Sequence, residues 1–407
     1  MEKNALMRIA ILPDAYLPEG TLIHVKMMHE LAVELVNRGH DVVVITPGTA
    51  NQSEPIYRFA LDSVDIWKFR SRPVRGVSHI QRAINETFLS WFAYTAIKKM
   101  KLNPRFDLVI NYAPTIFFGP LARWLRGKGA YVYLVLRDFF PQWAVDEGLI
   151  RSGSLVENYF RFFERLNYKA SDVIAVQSPA NLPVFDEIVR PCHFPTEVLY
   201  NWAAQLPEID KSFGRSFIEA HKLSEKFIFF YGGNIGHAQD IPYILRLAQR
   251  LNVHVDVHFL IIGQGDQYKK IGLQIREMGL TNTTLAPAVS QDEYRSILTQ
   301  VDVGVFTLAP SHRAHNFPGK ILGYLAAGLP VLGAVNRGND LIEIINQSGA
   351  GRVTVNGDYI RFVKDAILIY EDVVARKSMN ESAKELLVKQ FSVVAAADQI
   401  LERYIPK

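Results

Sequence analysis

One cysteine, Cys192, stands alone among 407 residues. An intrachain disulfide framework and a cysteine-based zinc cluster are thereby excluded. No uninterrupted apolar run reaches the roughly 18 residues that a membrane-spanning helix needs. Met1 to Met7 carries charges, and no long apolar stretch precedes Asp14. A cleaved secretion signal is therefore not expected, and the cytoplasm is the expected location. Neither sign of charge dominates: 45 Lys and Arg against 41 Asp and Glu leave a formal net charge of +4. That is too mild to imply a nucleic-acid partner, though it suits small anionic ligands or an anionic membrane surface. No His, Asp or Glu spacing suggests a metal site, so neither metal nor cofactor is expected.

What is present is core material. Hydrophobic residues make up 49% and charged residues 21% of the chain, which excludes disorder as the main state. At roughly 150 residues per domain the length suggests two or three domains. Ile9 to Leu12 reads as a buried strand. It is followed by a helix over His24 to Arg38 with Gly39 as its cap, then a strand over Val42 to Ile45. Strand, helix, strand in this order builds a parallel sheet. The alternation continues to Gln177, with one long helix predicted over Ile80 to Met100. A second series starts near residue 226 and gives a second doubly wound α/β domain. The expected division is 1–200, 201–382 and a last helix, 383–407, that crosses back to the first domain. Val198 to Leu206 is the expected linker.

Open parallel sheets bind ligands at the carboxyl ends of their strands. Gly232-Gly233-Asn234-Ile235-Gly236 falls there, and so does Gly263-Gln264-Gly265. Glycines let a backbone approach a phosphate or sugar, although the spacing is not that of a dinucleotide fingerprint. Further on, His315-Asn316-Phe317-Pro318-Gly319-Lys320 precedes a helix, after Ser311, His312 and Arg313. A helix N-terminus with Pro318 and Gly319 in its first turn and the charge of Lys320 makes a diphosphate cradle. An ordinary capped helix is the competing reading.

Taken together these residues resemble the GT-B glycosyltransferases of the family 4 type. The likeness rests on the order of strand, Gly-rich turn, Gly-x-Gly and the helix ending Ala326-Ala327-Gly328-Leu329-Pro330. In the first half it rests on Pro18-Glu19-Gly20, His24 and the run from Leu31 to Val42. Arg137-Asp138-Phe139-Phe140-Pro141 and Tyr200-Asn201-Trp202 resemble the bacterial surface-polysaccharide branch, closest to N-acetyl-L-fucosamine transferases of O-antigen and capsule assembly. The resemblance implies two Rossmann-like domains facing across a cleft. It implies a UDP-sugar donor on the second, and a polyprenyl-diphosphate-linked acceptor on the first, at the inner face of the cytoplasmic membrane. It also implies retention at the anomeric carbon without metal.

Under this reading Lys320, Asp138 and His24 serve catalysis, and Arg137 faces the acceptor. The donor would be held by Gly20, Gly233, Asn234, Gly236, Gly263, Gly265, Arg313, His315, Asn316, Phe317, Pro318, Gly319, Asp340, Leu341 and Glu343. The chain departs from the family's pattern. His315 and Gly323 stand where many members have two glutamates, and Asn234 and Gln239 where many have Arg and Lys. Lys320 and Arg313 are the nearest replacements for the phosphate-binding pair. Two other functions stay open on these residues. One is a UDP-sugar epimerase of the same fold. The other is a nucleotide-sugar-binding protein that has lost catalysis, which the missing glutamates would suit.

The predicted helix over Ile80 to Met100 carries Phe88, Trp91, Phe92 and Tyr94, with Lys98, Lys99, Lys101, Arg70, Arg72, Arg75 and Arg82 around it. Aromatics with basic flanks suit a membrane interface, and equally a core helix with solvated lysines. A second cluster, Tyr159, Phe160, Phe162, Phe163 and Tyr168, reads as core or as a contact between domains.

Overall fold

The computed structural model describes residues 6–20, 23–74, 76–203, 210–311 and 318–406. It divides into two units, Met1–Tyr200 with Val393–Lys407, and Asn201–Ser392. Each is an α/β unit with its own sheet.

The first unit opens with β1 (Arg8–Leu12), α1 (Ile23–Asn37), β2 (Asp41–Pro47), β3 (Ile56–Leu61) and β4 (Val64–Phe69). It goes on through α2 (His79–Thr87), α3 (Leu89–Lys99), β5 (Leu108–Ala113), α4 (Gly119–Arg126), β6 (Tyr131–Leu136) and α5 (Gln142–Asp146). α6 (Leu155–Ala170), β7 (Val173–Val176), α7 (Asn181–Val189) and β8 (Thr196–Val198) complete that stretch. The sheet order is β3-β4-β2-β1-β5-β6-β7-β8. All neighbours are parallel except β3 and β4. Strands β5 and β6 are buried at every position, as strands covered on both faces must be.

The second unit contains α8 (Ser212–Ala220), β9 (Phe227–Asn234), α9 (Ile241–Arg250), β10 (Val257–Gln264), α10 (Tyr268–Glu277), β11 (Thr283–Pro287) and α11 (Gln291–Leu298). Then come β12 (Val303–Thr307), α12 (Gly319–Ala326), β13 (Val331–Val335), α13 (Leu341–Ser348), β14 (Gly351–Val355), α14 (Tyr359–Glu371) and α15 (Val373–Leu386). Its sheet is wholly parallel, in the order β11-β10-β9-β12-β13-β14. The helix that covers Ala383 belongs to this unit, and the chain leaves it only after Ser392. The last helix, α16 (Val393–Glu402), packs on α1. Arg38 holds it through the Asp398 carboxylate at 2.5 Å and the Val394 carbonyl at 3.0 Å. Gln399 and Arg403 donate to Glu197 just before the strand edge is left.

Three expectations need correction. The single helix over Ile80 to Met100 is two, α2 and α3, broken at Phe88, whose φ of −89° and ψ of 0° leave the helical region. The halves are tied to different places: Asn85 donates to the Pro73 carbonyl, and Ser90 to the Phe117 carbonyl at 2.5 Å. Periodicity is blind to such anchors. Strand β3 went unpredicted because it lies on the edge and only Ile56 in it is buried. A turn at Asp62-Ser63, both with positive φ, folds it against β4. Strand β9 runs on through Gly232-Gly233-Asn234, so this glycine stretch is the end of the strand rather than a loop after it. Among the described residues no helix is long and apolar enough to cross a membrane.

Candidate active site

Chain direction across each sheet reverses once. In the first unit the reversal lies between β1 and β5, in the second between β9 and β12. At such a point adjoining loops part and leave a crevice beyond the carboxyl ends of the strands.

In the second unit this edge is made largely of backbone. Gly233 lies opposite Gly263 in the β9–β10 register. A Cβ on Gly263 would sit 1.9 Å from the Gly233 carbonyl oxygen, and one on Gly265 2.3 Å from that of Ile235. These two glycines are therefore needed to keep the strand ends together, whatever else they touch. Gly233 itself has φ of +130°, and its open side faces Lys320, 3.5–3.6 Å from the lysine's end. Thr307, at the end of β12, donates to the carbonyls of Gln239 and Asp240, and Ala309 N–H to Ala238 at 2.9 Å. Asn356 clamps Asp240 from the far side at 2.8 Å. The loop after β9 is thus held to β12 across the crevice.

Lys320 is in the first turn of α12, which starts at Gly319 with Pro318 as its N-cap. Its Nζ is sealed from solvent and has no hydrogen-bond partner among the described residues. It lies 3.6 Å from the ring centroid of Tyr231. Burial pulls its pKa down to about 7. The ring face works the other way, because it stabilises the ammonium form. A buried amine with no acceptor is costly, and an anionic ligand at the glycine-lined edge would supply one.

Asn234 and Gln239, the two amides that the resemblance sets where cations are expected, are joined by one hydrogen bond. Asn234 donates to Gln239 Oε1 at 2.9 Å, and the same oxygen receives the Gly236 N–H at 3.2 Å. Gly323, at one of the glutamate positions, faces Leu298 and Tyr294 on α11. Arg313, His315, Asn316 and Phe317 lie outside the described residues. Leu341 is wholly buried in the core, so its side chain packs and faces no ligand. Asp340 precedes α13, and Glu343 is exposed in its first turn, receiving a hydrogen bond from Gln347 at 2.7 Å.

In the first unit the edge is made of side chains. His24, at the start of α1, stacks on Tyr112 of β5 with ring centroids 5.4 Å apart. Its Nε2 is 3.1 Å from Asp14 Oδ1, too misaligned for a hydrogen bond. Burial raises the pKa of Tyr112, and the charges of Arg137, Asp14 and Asp138 act on it as well. Arg137, just past β6, donates to the Tyr200 carbonyl at 3.2 Å, and burial lowers its pKa to about 10. Burial raises Asp138 to about 6, opposed by hydrogen bonds from the Phe139 N–H and the Trp143 side chain. Gly20 closes a turn onto the Tyr16 carbonyl at 3.1 Å, packed tightly against Val25. The structure therefore brings His24, Arg137 and Asp138 together, and adds Asp14 and Tyr112. Asp14 directly follows a buried strand, a signal that could have found it. Tyr112 looks like core in the sequence.

Comparison with known proteins agrees with this architecture. Residues 213–386 match the family of glycosyl transferases group 1, and residues 25–181 the glycosyl transferase 4-like domain. WbjE of Pseudomonas aeruginosa, described as a glycosyltransferase, is 26% identical over 324 residues, with 76% of each chain covered. WcaI of Escherichia coli, described as a colanic acid biosynthesis glycosyl transferase, is 24% identical over 342 residues, covering 79% of this chain and 82% of its own. Among solved structures, Anabaena HepE in complex with UDP and glucose superposes with a TM-score of 0.66 at 15% identity over 97% of this chain and 98% of its own. An Escherichia coli trehalose-6-phosphate protein bound with UDP-2-fluoro glucose gives 0.69 at 11% identity over 98% of this chain and all of its own. Two family matches on successive halves, relatives along most of the chain, and one fold throughout identify the protein as a glycosyltransferase of the GT-B fold.

Proposed function

We propose that the protein is a retaining transferase that moves a sugar from a UDP-sugar to a lipid-linked saccharide in O-antigen or capsule assembly, with N-acetyl-L-fucosamine as the sugar. The observation that carries the reading is the buried Nζ of Lys320, without a hydrogen-bond partner among the described residues, beside Gly233 at the carboxyl edge of the second sheet. It lies where a diphosphate would meet both an ammonium group and the free N–H groups of a helix start. The solved relatives carrying UDP or a UDP-sugar support a UDP-sugar donor, and the description of WcaI supports a polysaccharide setting.

As the bond from sugar to diphosphate breaks, negative charge grows on the departing UDP. Lys320 and the first turn of α12 stabilise that charge where it develops. Gly233, Asn234 and Gly236 bring backbone and amide donors to the same edge. Asp138 accepts the proton of the acceptor hydroxyl, its raised pKa bringing it nearer to neutrality. His24 and Arg137 orient the acceptor beside it. The exposed aromatic residues Phe88 and Trp91, at the break and in α3, would rest on an anionic membrane surface, bringing the enzyme to a lipid-linked acceptor.

A thermal-shift panel of UDP, GDP, dTDP and UDP-sugars tests the donor, since a ligand of the folded state raises the melting temperature. A rise with UDP and with UDP-N-acetyl-L-fucosamine is expected. No rise with any nucleotide would overturn the donor reading, and a rise with a different UDP-sugar would replace the sugar. The product's anomeric configuration by NMR tests retention.

A further inference from the structure

A second cavity lies at the carboxyl edge of the first sheet, away from His24 and Asp138. It has a volume of about 320 Å³ and sits where β2 and β4 end. Pro55, Phe92 and Ala96 give it apolar walls, and Arg70, Arg72 and Lys99 line it as well. Among the described residues no carboxylate lines it. Among the described residues none of these three cations is in an ion pair. Other cations of this unit are neutralised by carboxylates, as Arg8 is by Asp41, Arg58 by Asp65 and Arg126 by Asp172. Three unneutralised cations around one apolar-walled cavity are a receptor for a compact anion.

The surroundings say which kind. From the cavity wall the ring of Phe92 passes to that of Phe88, 6.2 Å away, and on to an exposed apolar stripe. Ile80, Ile84, Phe88 and Trp91 form it, with Ile80 77% and Trp91 60% exposed. Alongside, Leu155, Tyr159 and Phe162 are exposed on one face of α6, Leu155 at 87% and Phe162 at 58%. The hydroxyls of Thr87 and Tyr159 bond the two helical segments together. An anion site that opens onto apolar surface fits a molecule with a charged head and a hydrocarbon tail. The sheet order separates β2 and β4 from β6, which Asp138 follows, by three to four strands, so at about 5 Å per strand the cavity is roughly 15–20 Å from Asp138 and nearer to His24, which follows β1.

We infer that this cavity receives the diphosphate of the lipid-linked acceptor: Arg70, Arg72 and Lys99 hold its phosphates, the tail follows the stripe on α2 and α3, and its sugar reaches toward Asp138. The inference rests on the acceptor reading above and adds to it a binding site of its own.

The test uses the full chain and neutral phosphatidylcholine vesicles, either plain, doped with farnesyl diphosphate, or doped with phosphatidylglycerol to equal charge. Flotation on the farnesyl diphosphate vesicles is expected to be about tenfold stronger than on either other preparation. Arg70→Gln with Arg72→Gln is expected to remove that advantage, and Lys99→Gln to reduce it. All three positions are exposed and free of ion pairs, and unchanged melting temperatures would verify the variants' folding. Equal flotation of the wild type and the double variant overturns the site. Equal flotation on the two charged vesicles also overturns it, since a general anionic surface would then account for binding. UDP-induced thermal shift of the same variants is read in parallel. Its persistence while flotation fails would locate the error in this cavity, and its absence from the wild type would locate it in the donor reading.

Discussion

At the carboxyl edge of the first sheet the surface is provided by side chains: His24 touches Asp14 and stacks on Tyr112, and the charges of Arg137 and Asp138 act on Tyr112. At the corresponding edge of the second sheet it is provided by backbone: Gly233, Gly263 and Gly265 let strand ends meet, and Lys320 supplies a buried charge. Both edges sit at a reversal of strand order. A diphosphate is recognised well by many N–H groups and one cation, and stripped glycine backbone provides that. Selecting and deprotonating one hydroxyl needs a shaped group of tuned pKa, which only side chains provide. The difference thus points to anion binding on one side and proton handling on the other.

The strongest way to break this comparison is Asp138→Asn. Turnover is expected to fall by about 10²–10⁴-fold with UDP affinity unchanged, measured by steady-state kinetics and calorimetry. Stability responds too. A carboxyl whose folded pKa is raised to about 6 from its ordinary 3.8 binds its proton more tightly in the folded state. Between those values stability falls as pH rises, and above pH 6 the full cost persists. Asp138→Asn should therefore melt higher than the wild type at pH 7.5, and that gain should shrink as pH drops below 6. Equal turnover would end the proton-handling role.

Gly263→Ala probes the opposite edge. Its new Cβ would collide with the Gly233 carbonyl, so a loss of about 3 kcal/mol is expected in urea unfolding. An unaffected midpoint would mean that the strand ends are free to separate.

Lys320→Met should weaken UDP binding by about 10–100-fold, the worth of one charge-assisted hydrogen bond. The pH dependence is sharper still. With a free-protein pKa near 7, the wild type binds UDP most tightly below that pH. Its affinity should fall above it by at most about tenfold per pH unit, while Lys320→Met stays flat. Stability runs the other way: between about pH 7 and the ordinary lysine value the unfolded chain holds the extra proton, so the wild type gains stability as pH rises. The smallest effect is expected for Asn234→Ala, about 1 kcal/mol of stability by thermal melting, because the Gly236 N–H still engages Gln239.

Much of this was legible in the residues. Buried runs such as Ile9 to Leu12 and a cap residue such as Gly39 mark strands and helix ends by local chemistry, and the alternation of strand and helix forces a parallel sheet. Lys320, Asp138 and His24 could be singled out because each lies just past a strand or at a helix start. Asp14 and Tyr112 were not, since one looks like a turn residue and the other like core. The break at Phe88 escaped because its anchors, such as the Phe117 carbonyl, lie far along the chain, and the edge strand β3 because only one of its residues is buried.

The sequence by itself determined the class of fold and the alternation of its elements. These follow from hydrophobic period, turn residues and motif order, all of which act over a few neighbours. Only the tertiary structure decided that Lys320 is sealed against Tyr231, that Asp138 is raised toward neutrality, and that Arg70, Arg72 and Lys99 share one cavity without an acid. Burial, desolvation and charge pairing are properties of surroundings, and those surroundings come from segments that meet only when the chain has folded.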